Sequence, residues 1–340
     1  MTLTSPHMRA LVFDGPAPDT RCTRVIQVPV PDPGPGQITL DVQYAGINFK
    51  DVMARRGDAG YVTRWPFVSG LEVSGIVRAL GAEVAGLSVG DRIAAFTDSG
   101  GLAQVAVAPA ELAVRLPEGL DLAAAAAAPG AMSTAALLVG EMGRLREGET
   151  VLVHSAAGGV GQAVVRLARL AGAQVLLGTV GSHSRVQAAE RAGYDAVFVR
   201  GAGTASAVVE RTGGQGVDLI LDPQGTDLLD LDLAVAAVGA RIVMFGNAAG
   251  GPLAALPPTG RLFAANASIG GFSLASLAAA APRKLAAALR TVLDHLAAGE
   301  LDVEQTFVAG LDEAAQAQQA LSEGRGRGKQ IVDLRSMPKP

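Results

Sequence analysis

Thr150-Val151-Leu152-Val153-His154-Ser155-Ala156-Ala157-Gly158-Gly159-Val160-Gly161 is the stretch on which the fold turns. An apolar strand runs directly into glycine-rich sequence and then into a helical segment from Val160 to Leu170. Glycine permits a tight turn and a close backbone approach, so the N–H groups that open the helix can face a pyrophosphate. As G-x-G-x-x-G the match is imperfect, because Ala156 stands where the first glycine would be. The strand before it and the helix after it supply the context that a bare motif lacks. Ala157, Gly158, Gly159, Val160 and Gly161 are therefore expected to hold the phosphates of a dinucleotide. A glycine-rich turn used only for helix–sheet packing is the bland reading.

Strand and helix continue to alternate outward from this loop. Gln174 to Leu177 reads as extended, Gln187 to Ala192 as helical, Ala196 to Val199 and Val217 to Leu221 as extended, Leu228 to Val238 as helical, and Arg241 to Phe245 as extended. That rhythm predicts βαβ units on a doubly wound parallel sheet, a Rossmann domain in an α/β protein. Before Pro117-Glu118-Gly119 the chain is different: Arg9 to Phe13, Cys22 to Val28, Gln37 to Ala45, Val73 to Ala79 and Arg92 to Ala95 are short extended runs between Gly and Pro. Ile38 to Tyr44 shows the period of two of a half-buried strand. Near the end, Leu285, Leu289, Val292 and Leu296 have helical spacing, Leu311 to Leu321 is another helix, and Gln330 to Leu334 is extended.

The 340 residues exceed the roughly 250–300 at which a single core stops growing, so two domains are expected. Composition is globular, with 49% hydrophobic and 18% charged residues. A net charge of -4 supplies no basic excess for nucleic acid or an anionic membrane. A single cysteine, Cys22, excludes an intramolecular disulfide and any multi-cysteine metal site, which fits a reducing, cytoplasmic setting. Met1 to His7 lack the features of a secretory signal. Leu122 to Val139 is almost free of polar residues, but Pro129-Gly130 in its middle and its alanine-rich composition argue for a buried crossover rather than a membrane span.

Enzymes that prefer NAD place an acidic side chain about 20 residues past the loop, on the ribose 2′-hydroxyl. Here Leu177-Gly178-Thr179-Val180-Gly181-Ser182-His183-Ser184-Arg185 contains no acid. Nothing repels a 2′-phosphate, and Ser182 and Arg185, beside Thr179, offer a hydroxyl and a guanidinium. NADPH is the expected cofactor. Asn247 follows the strand Arg241 to Phe245 at the carboxyl edge of the sheet, where ligands bind in such folds.

These residues resemble a known family over nearly the whole chain. His154 to Gly161, with Gly46-Ile47-Asn48-Phe49-Lys50-Asp51 upstream and Phe245-Gly246-Asn247 downstream, resembles the zinc-independent quinone oxidoreductase and enoyl reductase branch of the medium-chain dehydrogenase/reductase superfamily. Gly70-Leu71-Glu72-Val73-Ser74-Gly75, Gly90-Asp91-Arg92 and Gly328-Lys329-Gln330-Ile331-Val332 are similar to that branch too. The resemblance implies a GroES-like catalytic domain from both chain ends (1–122 and 273–340) around a Rossmann domain (123–272). It also implies a homodimer joined at a sheet edge near Ala267 to Phe272. Zinc relatives carry a His before the glutamate where this chain has Leu71, and His7, His154, His183 and His295 match no ligand position, so no metal is expected.

Without a metal, the resemblance implies hydride transfer to an acceptor already activated by conjugation: an enone or enoyl thioester, with a quinone as the alternative. The oxygen that gains charge needs hydrogen-bond donors. Asn48 is the first candidate beside nicotinamide and substrate, its bland reading being a turn residue. Tyr61, shortly before Trp65-Pro66-Phe67, is the candidate proton donor, although the usual Tyr-Pro is absent. Thr134 matches a family position near the nicotinamide; otherwise it is a helix threonine bonding its own backbone. Phe245, Gly246 and Asn247 are implied cofactor contacts. Lys329, closing the run Gly324-Arg325-Gly326-Arg327-Gly328-Lys329, is a basic residue that the family sometimes sets near the cofactor phosphate. That run is too short and too poor in aromatics for nucleic acid. A cofactor-binding sensor or scaffold without turnover is the reading from another class.

Overall fold

The computed structural model describes residues 6–62 and 64–335; Met1 to Ser5, part of the segment read for an export signal, lie outside them. Contacts divide the chain into two compact units. One comprises Met1–Ser133, Leu274–Glu300 and Gln305–Pro340; the other comprises Thr134–Ser273 with Leu301–Glu304. The run from Leu122 is buried and broken into short pieces, the helix Leu122–Ala125, a π-helical turn at Ala128–Met132 and the helix Ser133–Leu137. No helix among the described residues is long and apolar enough to cross a membrane.

The first unit is built on the strand Gln37–Gly46. Ile38, Leu40 and Val42 alternate into the core with Val73, Val77 and Ile93, the burial that the period of two requires. The strand pairs antiparallel with Glu72–Leu80 and, at its far end, with Lys329–Asp333, so that Gly46 lies opposite both Glu72 and Ile331. Three distant segments of chain meet at that point. The short strands Phe67–Val68, Val105–Pro109 and Ala113–Arg115 also belong to the β-rich unit; they are too short or too alanine-rich to show a period in sequence.

The second unit is a six-stranded parallel sheet. With strands counted from Thr150–His154, its order is 3-2-1-4-5-6, the doubly wound arrangement expected from the alternation. The first strand carries Val151, Leu152 and Val153 fully buried, as a strand covered on both faces must. Thr179 pairs with His154, and Leu221 with Val153, so the carboxyl ends of three neighbouring strands are level. The helix Thr204–Arg211 is an element that the sequence did not announce. The helix expected over Leu228 to Val238 stops at Val235, because Ala236 already belongs to the strand Ala236–Met244, paired with Val217. An Ala/Val run serves either period, and pairing with the neighbouring strand decided it.

Gly178 lies in the middle of the strand Val175–Val180, where a Cβ would stand 2.7 Å from the Ala156 methyl and 3.2 Å from the Tyr194 ring. Its lack of a side chain is therefore a packing requirement, and the residues past the strand end are Gly181 and Ser182. Gly178→Ala is expected to lower unfolding stability by about 1–3 kcal/mol, because overpacking pushes the phosphate loop. A urea titration with an unchanged midpoint would contradict this.

Candidate functional site

Each unit carries its own group of candidate residues. In the second, the strand Thr150–His154 ends in Ser155, which holds φ 57, a left-handed turn that costs a non-glycine residue some strain. Ser155 Oγ accepts from Gln224 Nε2 at 2.8 Å, which braces the turn. Gly158 opens the helix Gly159–Leu170 with no side-chain cap. The first helical bond to close is Gln162 N–H to Gly158 O, so the N–H groups of Gly159, Val160 and Gly161 lie ahead of it. A Cβ at Gly161 would stand 2.6 Å from Ala156 O, so this glycine lets helix and turn approach. An uncapped helix start of this kind accepts a phosphate through its N–H groups and its dipole.

Beyond the second strand, Ser182 is exposed and its hydroxyl meets that of Ser184 at 2.9 Å. Arg185 Nη2 donates to Ala157 O at 3.0 Å, tying this segment to the phosphate loop. Thr179 is fully buried and faces inward, its hydroxyl 2.6 Å from His154 Nδ1. Its side chain belongs to the interior network and not to the loop surface. Arg200, just past the third strand Ala196–Val199, was missed by sequence reasoning. Its guanidinium stands 3.0 Å from the place a Cβ would take on Gly181 and 3.5 Å from the Thr179 hydroxyl, and it forms no ion pair among the described residues. A basic residue closing the third strand was the available signal.

Phe245, Gly246 and Asn247 follow the fifth strand. Phe245 N–H donates to Asp222 O, Gly246 is exposed, and Asn247 Nδ2 donates to Gly251 O at 2.9 Å, holding its own loop.

Beneath these loops runs a buried polar chain. His154 Nε2 lies 2.7 Å from Asp232 Oδ1, and the imidazole bridges that carboxylate to the Thr179 hydroxyl. Asp222 is fully buried, accepts from Gln224 N–H at 2.6 Å and leaves Oδ2 unpaired among the described residues. Burial, reinforced by the Asp232 charge, pushes its carboxyl up to about 6 from 3.8.

In the first unit, Asn48 precedes the helix Phe49–Arg56, and its N–H donates to Asp51 Oδ2 at 2.7 Å. Asp51 also accepts from Ser69 Oγ and Gly70 N–H, and burial raises its carboxyl. Glu72 is fully buried; it accepts from Asn48 Nδ2 at 2.7 Å and from Gly130 N–H at 2.6 Å, and pairs with Lys329. Cβ atoms on Gly46 or Gly130 would collide with its carboxylate. Lys329 donates to Asn48 Oδ1 at 2.8 Å and to Ile47 O at 2.7 Å. The structure thus places Lys329 inside the Asn48 cluster, 3% exposed, with its ammonium directed at these acceptors. Both amide protons of Asn48 are engaged, the second by Gly46 O at 3.3 Å. What remains to it is an acceptor lone pair on Oδ1.

Tyr61 is half-buried against the first unit's core, and that burial raises its phenol above 10.0. It is a protonated donor at neutral pH. Thr134 is 8% exposed near the start of the helix Ser133–Leu137. Its hydroxyl makes no hydrogen bond among the described residues, whereas that of Ser133 donates to Ala128 O. No group of three or more His, Cys, Asp or Glu side chains among the described residues is placed to hold a metal.

A dinucleotide-type sheet, an uncapped phosphate loop and a β-rich unit with a buried polar cluster define an oxidoreductase architecture. A family model for the alcohol dehydrogenase GroES-like domain matches residues 34–118, and one described as zinc-binding dehydrogenase matches residues 159–294. Human synaptic vesicle membrane protein VAT-1 homolog-like is 30% identical over 98% of this chain and 83% of its own. A mycocerosic acid synthase-like polyketide synthase of Mycobacterium tuberculosis is 33% identical over 89% of the chain, which spans 14% of that protein's length. The crystal structure of Escherichia coli quinone oxidoreductase complexed with NADPH superposes with a TM-score of 0.84 at 25% identity, covering 96% of this chain and 99% of that one. The chain belongs to the medium-chain dehydrogenase/reductase superfamily, in its zinc-independent quinone oxidoreductase and enoyl reductase branch.

Asp222→Asn keeps the acceptor for Gln224 N–H and removes a carboxyl that the folded state holds protonated to a higher pH than the unfolded chain does. Wild-type stability should therefore fall between pH ~4 and ~6, where the folded state binds the extra proton. The variant should not follow, and by pH 7 it is expected to gain on the order of 2–3 kcal/mol on wild type. Parallel stability-versus-pH curves for the two would exclude a perturbed Asp222.

Proposed function

We propose that this protein is an NADPH-dependent reductase that delivers hydride to an activated carbon–carbon double bond, an enone or enoyl thioester, without a metal. The observation that carries it is the anion-accepting end of the second unit's sheet. The uncapped helix start at Gly158 stands beside a second strand whose exit, Gly181 to Arg185, has no acid and is flanked by Arg185 and Arg200. Gly159, Val160 and Gly161 would hold the pyrophosphate. Ser182, Arg185 and Arg200 would hold a 2′-phosphate, for which a guanidinium is the matching donor. Bound there, NADPH supplies the hydride. Phe245, Gly246 and Asn247 stand at the same carboxyl edge of the sheet and would bound the cofactor.

Tyr61, a phenol protonated at neutral pH and raised further by its burial, is the proposed donor to the acceptor's oxygen or carbon. Asn48 acts as a hydrogen-bond acceptor, oriented by Glu72 and Lys329, and Thr134 brings a hydroxyl without a partner among the described residues. A quinone is the second reading, supported by the likeness to the E. coli quinone oxidoreductase; the likeness to a polyketide synthase segment supports the enoyl acceptor. Following NADPH oxidation with an enone, an enoyl thioester and a quinone separates them. The expected result is turnover with the enone or thioester, lowered about 10-fold or more by Tyr61→Phe. Arg200→Met should lower kcat/KM for NADPH about 10–100-fold and leave NADH nearly unchanged. NADPH binding without turnover on any acceptor would favour a sensor.

A homodimer and a cytoplasmic setting complete the proposal. The strand Ser268–Gly271 is the edge of the six-stranded sheet, with Leu253, Leu256 and Phe263 exposed nearby in the chain. Unpaired edges and exposed apolar side chains favour pairing with a second copy. Sedimentation equilibrium should give a dimer for wild type and a monomer for Phe263→Glu.

A further inference from the structure

Arg55, in the last turn of the helix Phe49–Arg56, is 0% exposed. Its Nη2 donates to Pro18 O at 3.1 Å and reaches Ser322 Oγ at 3.5 Å, while Nε and Nη1 have no hydrogen-bond partner among the described residues. Gln318 lies one turn before Ser322 on the helix Leu311–Ser322; it too is fully buried, and neither of its amide atoms has a partner among the described residues. Thr23 Oγ1, at the start of the strand Thr23–Pro29, is likewise unpaired among the described residues. The helix Leu311–Ser322 packs against the helix Phe49–Arg56, the turn Thr20–Cys22 and that strand, so the elements that carry these polar atoms adjoin one another within the first unit, and Arg55 reaches the helix at Ser322.

The charge is the decisive part. A guanidinium stays protonated in proteins, and an isolated buried charge is strongly unfavourable unless a counter-charge accompanies it. Among the described residues Arg55 forms no ion pair. The carboxylates that act on it electrostatically, Asp19 and Glu323, are each bound to another guanidinium at the surface, Arg21 and Arg325. Water can satisfy an N–H donor, but it does not neutralise the cation. A single buried positive charge calls for a single negative one.

We propose that Arg55, with Gln318 and the Thr23 hydroxyl, forms an internal site for a small monovalent anion, chloride. The site is independent of the dinucleotide reading. Arg55 Nε and Nη1, Gln318 Nε2 and the Thr23 O–H are the donors, and the anion's charge balances Arg55. It secures one end of the short helix whose other end begins at Asn48.

The test compares thermal unfolding in sodium chloride and in sodium gluconate at equal ionic strength. Wild type should melt roughly 2–4 °C higher in chloride, the shift expected for a ligand held several-fold above its Kd. Gln318→Glu brings a carboxylate to Arg55 and should melt at the same temperature in both salts, and Arg55→Met should also lose the dependence. Crystals grown with bromide should show an anomalous peak beside Arg55. Equal melting of wild type in the two salts, a chloride dependence retained by Gln318→Glu, or water alone beside Arg55 in the bromide crystals would each overturn the site.

Discussion

The buried ion pair of Glu72 with Lys329 is the constraint on which the first unit's chemistry depends. Glu72 comes from one edge of the central strand, Lys329 from the strand on its other side, and Asn48 from the loop that follows the central strand itself. A buried charge must be paired and hydrogen-bonded, and this carboxylate is also met by the Gly130 N–H. Satisfying it orients Asn48 without ambiguity: an ammonium has only donors and a carboxylate only acceptors, so the Asn48 amide has one permitted orientation. That leaves Asn48 an acceptor in a place where the residue type alone suggested a donor.

The second unit applies the same rule to different ends. His154, the last residue of the strand that leads to the phosphate loop, turns inward to Asp232 and Thr179 and is closed to solvent. The outward groups belong to backbone and arginine: the helix start after Gly158, Arg185 on Ala157 O, and Arg200 over Gly181. Buried negative charge at Asp222 and Asp232 lies beneath a positive surface, and Asp222 acts electrostatically on Arg200. The unit therefore separates the charges that stabilise its interior from those that can receive an anion.

Much of the architecture was legible in the chain. Fully apolar Val151, Leu152 and Val153, followed by glycine and a helix, determined a parallel strand and its loop, because the backbone rules there are local. The alternation of elements pointed to a doubly wound parallel sheet, whose strand order, 3-2-1-4-5-6, the structure supplied. Alanine-rich runs were less legible. Ala236 and Ala237 suit a helix as well as a strand, and only pairing with Val217 placed the first of them in a strand. The same holds for Val105–Pro109 and Ala113–Arg115, whose small side chains carry little periodic signal.

Site residues divide along the same line. The sequence by itself determined which groups are able to act: a glycine loop with Ala156 in place of a glycine, no acid from Leu177 to Arg185, Leu71 where zinc relatives carry a histidine, and the single Cys22. These are matters of residue type and local spacing, except the meaning of Leu71, which the family resemblance implies. Tertiary structure alone decided direction and company. It turned Thr179 inward, drew Lys329 into the Asn48 cluster, showed Gly178 to be a packing requirement, and brought Arg200 beside Gly181. The physical reason is that hydrogen-bond partners and burial are set by segments far apart in the chain, as with Asn48 and Lys329, and no local pattern encodes them.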